Sequence, residues 1–193
     1  MNKIKARITV LTAIAFTMSF AVTGCGKASA VNDKQIRKDV EASLGDISAN
    51  ELKIDSVKVD KRQTSKEDHV DHIWADIAAS NENCSYTASC ELIYGLYNNG
   101  WILDSIDKTD SEIIPKIAAE DFSQKTADDA VREMGYTDYY LERRSERTTA
   151  VDFTYRGYDE KNTEMVISMT YSFDPVRGWH QGSSAAFSAN MFG

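Results

Sequence analysis

The sequence is poor in proline, histidine, cysteine and positive charge. Its 193 residues include two Pro, three His and three Cys, and 22 Lys plus Arg stand against 30 Asp plus Glu. The rest of the composition, 42% hydrophobic and 27% charged, is that of a globular chain, neither disordered nor fibrous. Because no basic patch is present to neutralise phosphates, a nucleic-acid partner is not expected.

Motifs of the common enzyme classes are also missing. The sequence has no Gly-rich phosphate loop, no Gly-x-Ser-x-Gly elbow and no His-Glu-x-x-His pair. Its densest group of metal-ligand types, residues 67–72 with His69 and His72, lies in a polar stretch and is interpreted as a solvated connection. We therefore expect no metal, no cofactor and no assignable catalytic residue, and an enzyme is the less favoured class.

Long apolar runs are absent except at the start. Residues 8–23 carry no charge and follow a short segment containing Lys3, Lys5 and Arg7. Sixteen residues are too few for an ordinary membrane-spanning helix, and the pattern is typical of an export signal. Without those three positive charges the body has a net charge of −11.

The end of this run, Val22-Thr23-Gly24-Cys25, resembles the bacterial lipoprotein signal at all four positions. The resemblance implies a signal peptide over residues 1–24, a diacylglyceryl group on Cys25, a short linker over residues 25–31 and a location on the extracytoplasmic face of the cell membrane. The membrane would then be a partner through the lipid on Cys25. A plain secretory signal cut near Ala28-Ser29-Ala30 is the alternative.

The remaining sequence predicts two similar units. Residues 32–107 begin with a helix, in which Asn32 is the candidate N-cap, Ile36, Val40 and Leu44 share one face and Gly45 ends the helix. Alternating strands follow, with a bend near Ser56 and a polar connection over residues 62–72. The last two strands are predicted at residues 84–96 and 101–106, joined by an Asn99-Gly100 turn.

Residues 125–193 repeat this order after a linker over residues 108–124, in which Pro115 breaks any continuous helix. Thr126 is the candidate cap of the second helix and Gly135 its end. Three segments match the first unit at separations of 76, 77 and 78 residues, which indicates an internal duplication. They are Ala75-Asp76-Ile77 with Val151-Asp152-Phe153, residues 92–96 with 169–173, and Gly100-Trp101 with Gly178-Trp179.

The predicted fold class is therefore α+β, with two tandem units that each place an N-terminal helix on an antiparallel sheet of about four strands. This order of elements resembles the cystatin-like and nuclear transport factor two-like families, and especially small exported lipoproteins of Gram-positive bacteria that carry such units. The resemblance implies a fold more than an activity.

Cys84 and Cys90 admit two interpretations. If Cys25 carries the lipid, two cysteines remain in an exported chain, and their number indicates one disulfide. If both lie on one strand, however, six residues separate their Cα atoms by roughly 20 Å, far beyond disulfide range. The bond forms only if a turn lies between them, so a disulfide and two thiols both remain open.

Four aromatic residues occupy equivalent places in the two units: Tyr94, Trp101, Tyr171 and Trp179. They either line a ligand pocket on the concave side of a sheet or, as we favour, pack in the core. Together these observations predict a membrane-anchored binding or interaction module for a protein, peptide, glycan or small ligand. The alternative is a small cavity-type α+β enzyme that uses pocket carboxylates and tyrosines.

Overall fold

The computed structural model describes residues 30–65 and 67–189, which form two antiparallel sheets of four strands. The predicted α+β class is confirmed, with strand far more abundant than helix. The first sheet has the order β1-β2-β3-β4 and the second β5-β6-β7-β8. The elements are α1 (Asp33–Ser43), α2 (Gly45–Ala49), β1 (Lys53–Ser65), β2 (Val70–Ser80), β3 (Cys84–Tyr97), β4 (Gly100–Pro115), a 3₁₀ turn (Ala119–Asp121), α3 (Gln124–Glu133), β5 (Thr137–Arg147), β6 (Ala150–Tyr158), β7 (Glu164–Asp174) and β8 (Gly178–Ser188).

Helix α1 begins as the sequence predicts. The Asn32 side chain accepts a hydrogen bond from the Gln35 amide at 2.9 Å, which satisfies one of the free donors of the first turn. Ile36 and Val40 are fully buried and belong to the same apolar cluster as Ile73 and other residues of the first sheet. The burial of this one helix face is what holds α1 to the sheet.

Helix α3 starts earlier than predicted. Its N-cap is Ser123 rather than Thr126, which lies inside the first turn, where its amide bonds to the Ser123 carbonyl oxygen at 3.1 Å. Ala127 and Val131 are fully buried in a second apolar cluster. Gly135, at φ +86°, follows the helix end, and this left-handed conformation suits glycine.

Two strands extend through segments that were predicted to be irregular. β1 continues to Ser65 and β2 starts at Val70, so the polar connection expected over residues 62–72 is mostly paired strand. β4 continues nine residues beyond Ile106 to Pro115, into the segment for which a linker was expected. β1 and β4 are both edge strands with one side towards solvent. Their polar residues interrupt the alternation of apolar and polar residues from which a strand is predicted. The predicted bend near Ser56 is confirmed as a register shift between Ile54 and Ser56.

The strand register corrects one part of the repeat alignment. Val70 lies opposite Gly95, and Ala150 lies opposite Ser172, the residue that the repeat aligns with Gly95. Val70 therefore corresponds to Ala150, and two residues further along His72 corresponds to Asp152. The proposed equivalence of Asp76 with Asp152 is wrong by four residues, because alternating strands match at any even offset.

Contacts between the two sheets are made by turns. The side-chain amide of Asn81 donates to the Pro175 carbonyl oxygen at 2.8 Å, and that of Asn83 donates to the Val176 carbonyl oxygen at 2.7 Å. Phe173 at the end of β7 packs against the first apolar cluster. The β2–β3 turn thus holds the β7–β8 turn by hydrogen bonds and one aromatic contact.

Candidate functional site

The four aromatic residues considered for a pocket lie in or beside the cores. Tyr94 is 0% exposed and Tyr171 is 4% exposed, each in a different apolar cluster. Trp101 and Trp179 are half-buried against the same two clusters, and the Trp179 indole donates to the Ile117 carbonyl oxygen at 2.8 Å. Three of the surface concavities formed by the described residues include none of the four in their lining.

A buried carboxylate, Asp71, lies directly opposite Tyr94 on the neighbouring strand. It accepts from the Val31 amide at 3.1 Å and the Thr64 hydroxyl at 2.9 Å, and it lies 3.5 Å from the Arg62 guanidinium. Arg62 in turn donates to the Val31 carbonyl oxygen at 2.8 Å. Asp71 therefore has a structural role, fixing the chain at Val31 to the sheet.

The buried tyrosines are poorly suited to proton transfer. Burial, together with the neighbouring Asp39 carboxylate, raises the pKa of Tyr94, and burial also raises the pKa of Tyr171. Tyr86 donates to Asp46 at 3.2 Å, and burial and this carboxylate raise the pKa of Tyr86 to about 12. All three hydroxyls therefore keep their protons near neutral pH.

Cys84 and Cys90 both lie on β3 and both are buried free thiols. The Cys84 sulfur lies 3.4 Å from the Asn81 side-chain oxygen, beside the contact between the two units. Burial raises the pKa of both thiols, which lowers their thiolate fraction and hence their reactivity.

The two histidines of the polar stretch lie in different elements. His69 lies in the turn before β2 with φ +56°, and His72 lies on β2, stacked on Trp74 at 4.2 Å and paired with Glu91. Within residues 30–65 and 67–189, no group of three or more His, Cys, Asp or Glu side chains is placed to hold a metal ion.

A concavity with a volume of about 350 Å³ lies on the outer face of the first sheet, opposite α1. Its lining residues come from all four strands, so the paired strands of the sheet, and not a loop, form its walls. Hydroxyl groups, small side chains and charged groups all contribute to its lining. Its lining residues are Ser56, Lys58, Asp76, Ile77, Ala78, Thr87, Ala88, Ser89, Asp110, Ser111 and Glu112.

Two polar contacts involve residues that line this concavity. The Ser89 hydroxyl donates to Asp76 at 2.9 Å, and Lys58 pairs with Asp60 at 2.7 Å. The Lys58 ammonium holds the pKa of Asp60 below its usual range, so that carboxylate is ionised at neutral pH. The concavity therefore offers hydroxyl and carboxylate acceptors, with three carboxylates and one ammonium among its lining residues.

Sequence reasoning missed this surface because it followed only the inward half of β3. Tyr86, Ala88 and Cys90 were recognised as the buried face of the strand, and the alternating residues Ser85, Thr87 and Ser89 form the outward face. The same alternation predicts both faces. What it does not predict is which residues of β1 and β4 complete the surface.

Comparison with protein families, with curated proteins and with solved structures finds no match for this chain. In the described part of the chain, no helix is long and apolar enough to cross a membrane. Cys25 and the rest of the predicted signal lie outside the described residues.

Proposed function

We propose that this chain is a membrane-anchored extracytoplasmic lipoprotein that acts as a binding module, with the outer face of the first sheet as its ligand surface. In this proposal Cys25 carries the lipid and the chain has no catalytic residues. We propose further that each unit is of the cystatin-like type, with one N-terminal helix packed on one face of its sheet, and that the other face of the first sheet is left for binding.

The anchor is supported by the placement of Cys25 directly behind Val22-Thr23-Gly24 at the end of an uncharged run. Two acyl chains give lasting membrane attachment, whereas a single chain holds a protein only marginally. Val31 lies six positions after Cys25, and Asp71 and Arg62 fix Val31 to the first sheet. The first unit would thus be tethered within about 20 Å of the lipid.

The binding surface is supported by one observation, the concavity that crosses four strands on the outer face of the first sheet. Ser56, Thr87 and Ser89 offer hydroxyls, and Asp110 and Glu112 offer acceptors at the rim. Such a lining suits a polar ligand rich in hydrogen-bond donors, such as an extended peptide or a glycan. The buried state of Tyr94 and Tyr171 gives no comparable support to a cavity-type enzyme.

The anchor is tested by fractionating cells that produce the parent chain or the Cys25→Ser variant. We expect the parent in the membrane fraction and the variant in the medium. Cys84→Ser removes a cysteine that lies in the first core and should leave the chain on the membrane. Persistent membrane association of Cys25→Ser would refute lipid anchoring.

The binding surface is tested by placing a photo-crosslinking residue at Thr87, and, as a matched control, at Thr154 of β6 on the outer face of the second sheet. Irradiation of the full-length chain in producing cells should give an adduct of defined mass from position 87. The adduct should be lost when Asp110→Asn and Glu112→Gln are added. Equal adducts from both positions, or none from position 87, would contradict this assignment of the surface.

A further inference from the structure

The four edge strands of the two sheets differ in charge. β1 carries six charged residues, β4 carries five and ends in Pro115, and β5 carries six. β8, with the sequence GWHQGSSAAFS, carries no Asp, Glu, Lys or Arg over eleven residues. Charges and proline on edge strands discourage pairing with further strands, and β8 has neither.

The outer edge of β8 is open in the described part of the chain. β8 is the last strand of its sheet and pairs only with β7. Residues 181–185 are all exposed, and residues 183–188 pair with β7 without a register shift. This leaves a regular stretch whose outward amides and carbonyls point along the sheet towards solvent.

The uncharged area is also wider than one strand. Ser168, Thr170 and Ser172 of β7 lie beside β8 on the outer face, and the charged residues of β7 are confined to its ends at Glu164 and Asp174. In a body with a net charge of −11, two copies meet with least repulsion at such a neutral patch.

We infer that β8 pairs antiparallel with β8 of a second copy of this chain, joining two second sheets into one sheet of eight strands. The partner is a second copy because an uncharged strand opposes itself without like charges, whereas self-pairing of β1, β4 or β5 brings charged residues face to face. The contact is isologous, with a two-fold axis between the two β8 strands. It does not depend on Cys25 or on the ligand surface of the first sheet.

Antiparallel self-pairing has a geometric signature. The residue beside the two-fold axis faces its own copy at a Cα distance of about 4.5–5.5 Å, within the range that a disulfide spans. A residue one position away faces a different residue, and its own copy lies about two residues further along the partner strand, outside that range. Self-crosslinking along β8 should therefore peak at one or two adjacent positions.

The experiment introduces single cysteines at positions 181 to 187 of the full-length chain and oxidises membranes or detergent extracts with copper phenanthroline. The parent chain, with its own three cysteines, is one control, and Ser145→Cys on the charged edge strand β5 is the other. We expect a covalent dimer with a sharp maximum within β8 and little from either control. A flat profile equal to that of Ser145→Cys, or an adduct with a different chain, would overturn the inference.

A second pair of variants tests the same contact without crosslinking. Ser183→Lys with Ala185→Lys adds positive charges to the outer face of β8 and should weaken the dimer roughly tenfold or more in sedimentation equilibrium of the full-length chain in detergent. Asn98→Lys with Thr148→Lys adds the same charge in exposed turns and should leave the dimer unchanged. Circular dichroism checks that both remain folded. A parent chain that sediments as a monomer at every concentration would refute the pairing.

Discussion

A single carboxylate, Asp71, joins the first described residues to the sheet. Asp71→Asn removes the negative charge that faces Arg62, and its amide group can replace only part of the hydrogen bonds to Val31 and Thr64. We expect a loss of about 2–4 kcal/mol in the free energy of unfolding. Urea denaturation followed by tryptophan fluorescence measures it.

The matched control for Asp71 is Asp68→Asn, the same chemical change at an exposed carboxylate that accepts from the Ser65 hydroxyl. It should change stability by less than about 0.5 kcal/mol. If both variants were equally stable, the structural role assigned to Asp71 would be wrong.

The buried hydroxyl of Tyr86 predicts a loss of stability at high pH. An unfolded tyrosine has a pKa near 10, whereas the pKa of Tyr86 in the folded chain is about 12. Between these values the unfolded chain releases the proton and the folded chain retains it, so stability is full below pH 10 and falls as pH rises towards 12. The contribution is about 1.4 kcal/mol per pH unit.

Tyr86→Phe should remove this part of the pH dependence, as measured by urea midpoints at several pH values from 9 to 12. Stability of the variant should still fall somewhat with pH, because burial also raises the pKa of Tyr94 and Tyr155. An unchanged slope in Tyr86→Phe would show that its hydroxyl does not have the environment described.

At the scale of elements, two equivalent turns differ in what they contact. Gly100 and Gly178 both have positive φ, +110° and +73°, so alanine is strained at either position. A Cβ on Gly100 meets no atom within 4 Å, whereas a Cβ on Gly178 lies 2.7 Å from the Asn83 side-chain oxygen. Gly178→Ala therefore also disturbs the amide that binds Val176 across the two units.

We expect each alanine variant to lose about 1–3 kcal/mol from backbone strain, with a further loss of about 1 kcal/mol for Gly178→Ala. A double-mutant cycle with Asn83→Ala isolates that further loss. The coupling energy should be about 1 kcal/mol for Gly178 and near zero for Gly100. Equal coupling for both glycines would mean that the Asn83 contact has no effect on stability.

The sequence predicted the elements with one strongly apolar face and missed those without one. The Asn32 cap, the start of β3 at Cys84 and the bend near Ser56 follow from local chemistry and alternation, and all three are present. Residues 62–65 and 108–115 are edge-strand segments with mixed polarity, which alternation cannot separate from loops.

The contact from Asn81 and Asn83 to residues 175 and 176 could not be predicted either. It joins turns more than 90 residues apart in the sequence through side-chain amides. Asn side chains in turns usually form hydrogen bonds with the backbone of the same turn. The Asn81 side-chain oxygen does so when it accepts from the Asn83 amide at 2.8 Å. Periodicity says nothing about such a contact, which depends on how the two units are placed.

At the scale of the whole molecule, the described residues form two separate apolar clusters of unequal size. The first contains 17 buried residues and the second contains ten. The hydrogen bonds from Asn81 and Asn83, with the packing of Phe173, connect them. Because hydrophobic stabilisation scales with the apolar area buried, the second unit should be the less stable one.

We therefore predict two unfolding transitions, with the second unit unfolding at the lower urea concentration. A chain with Trp74→Phe and Trp101→Phe retains only Trp179 and reports on the second unit, whereas Trp179→Phe leaves two tryptophans that report on the first. Asn83→Ala should move the Trp179 transition further down while the transition of the first unit changes little, because the smaller unit depends more on the shared contact. Coincident transitions in both tryptophan variants would instead show that the contact between the turns couples the two cores into one cooperative unit.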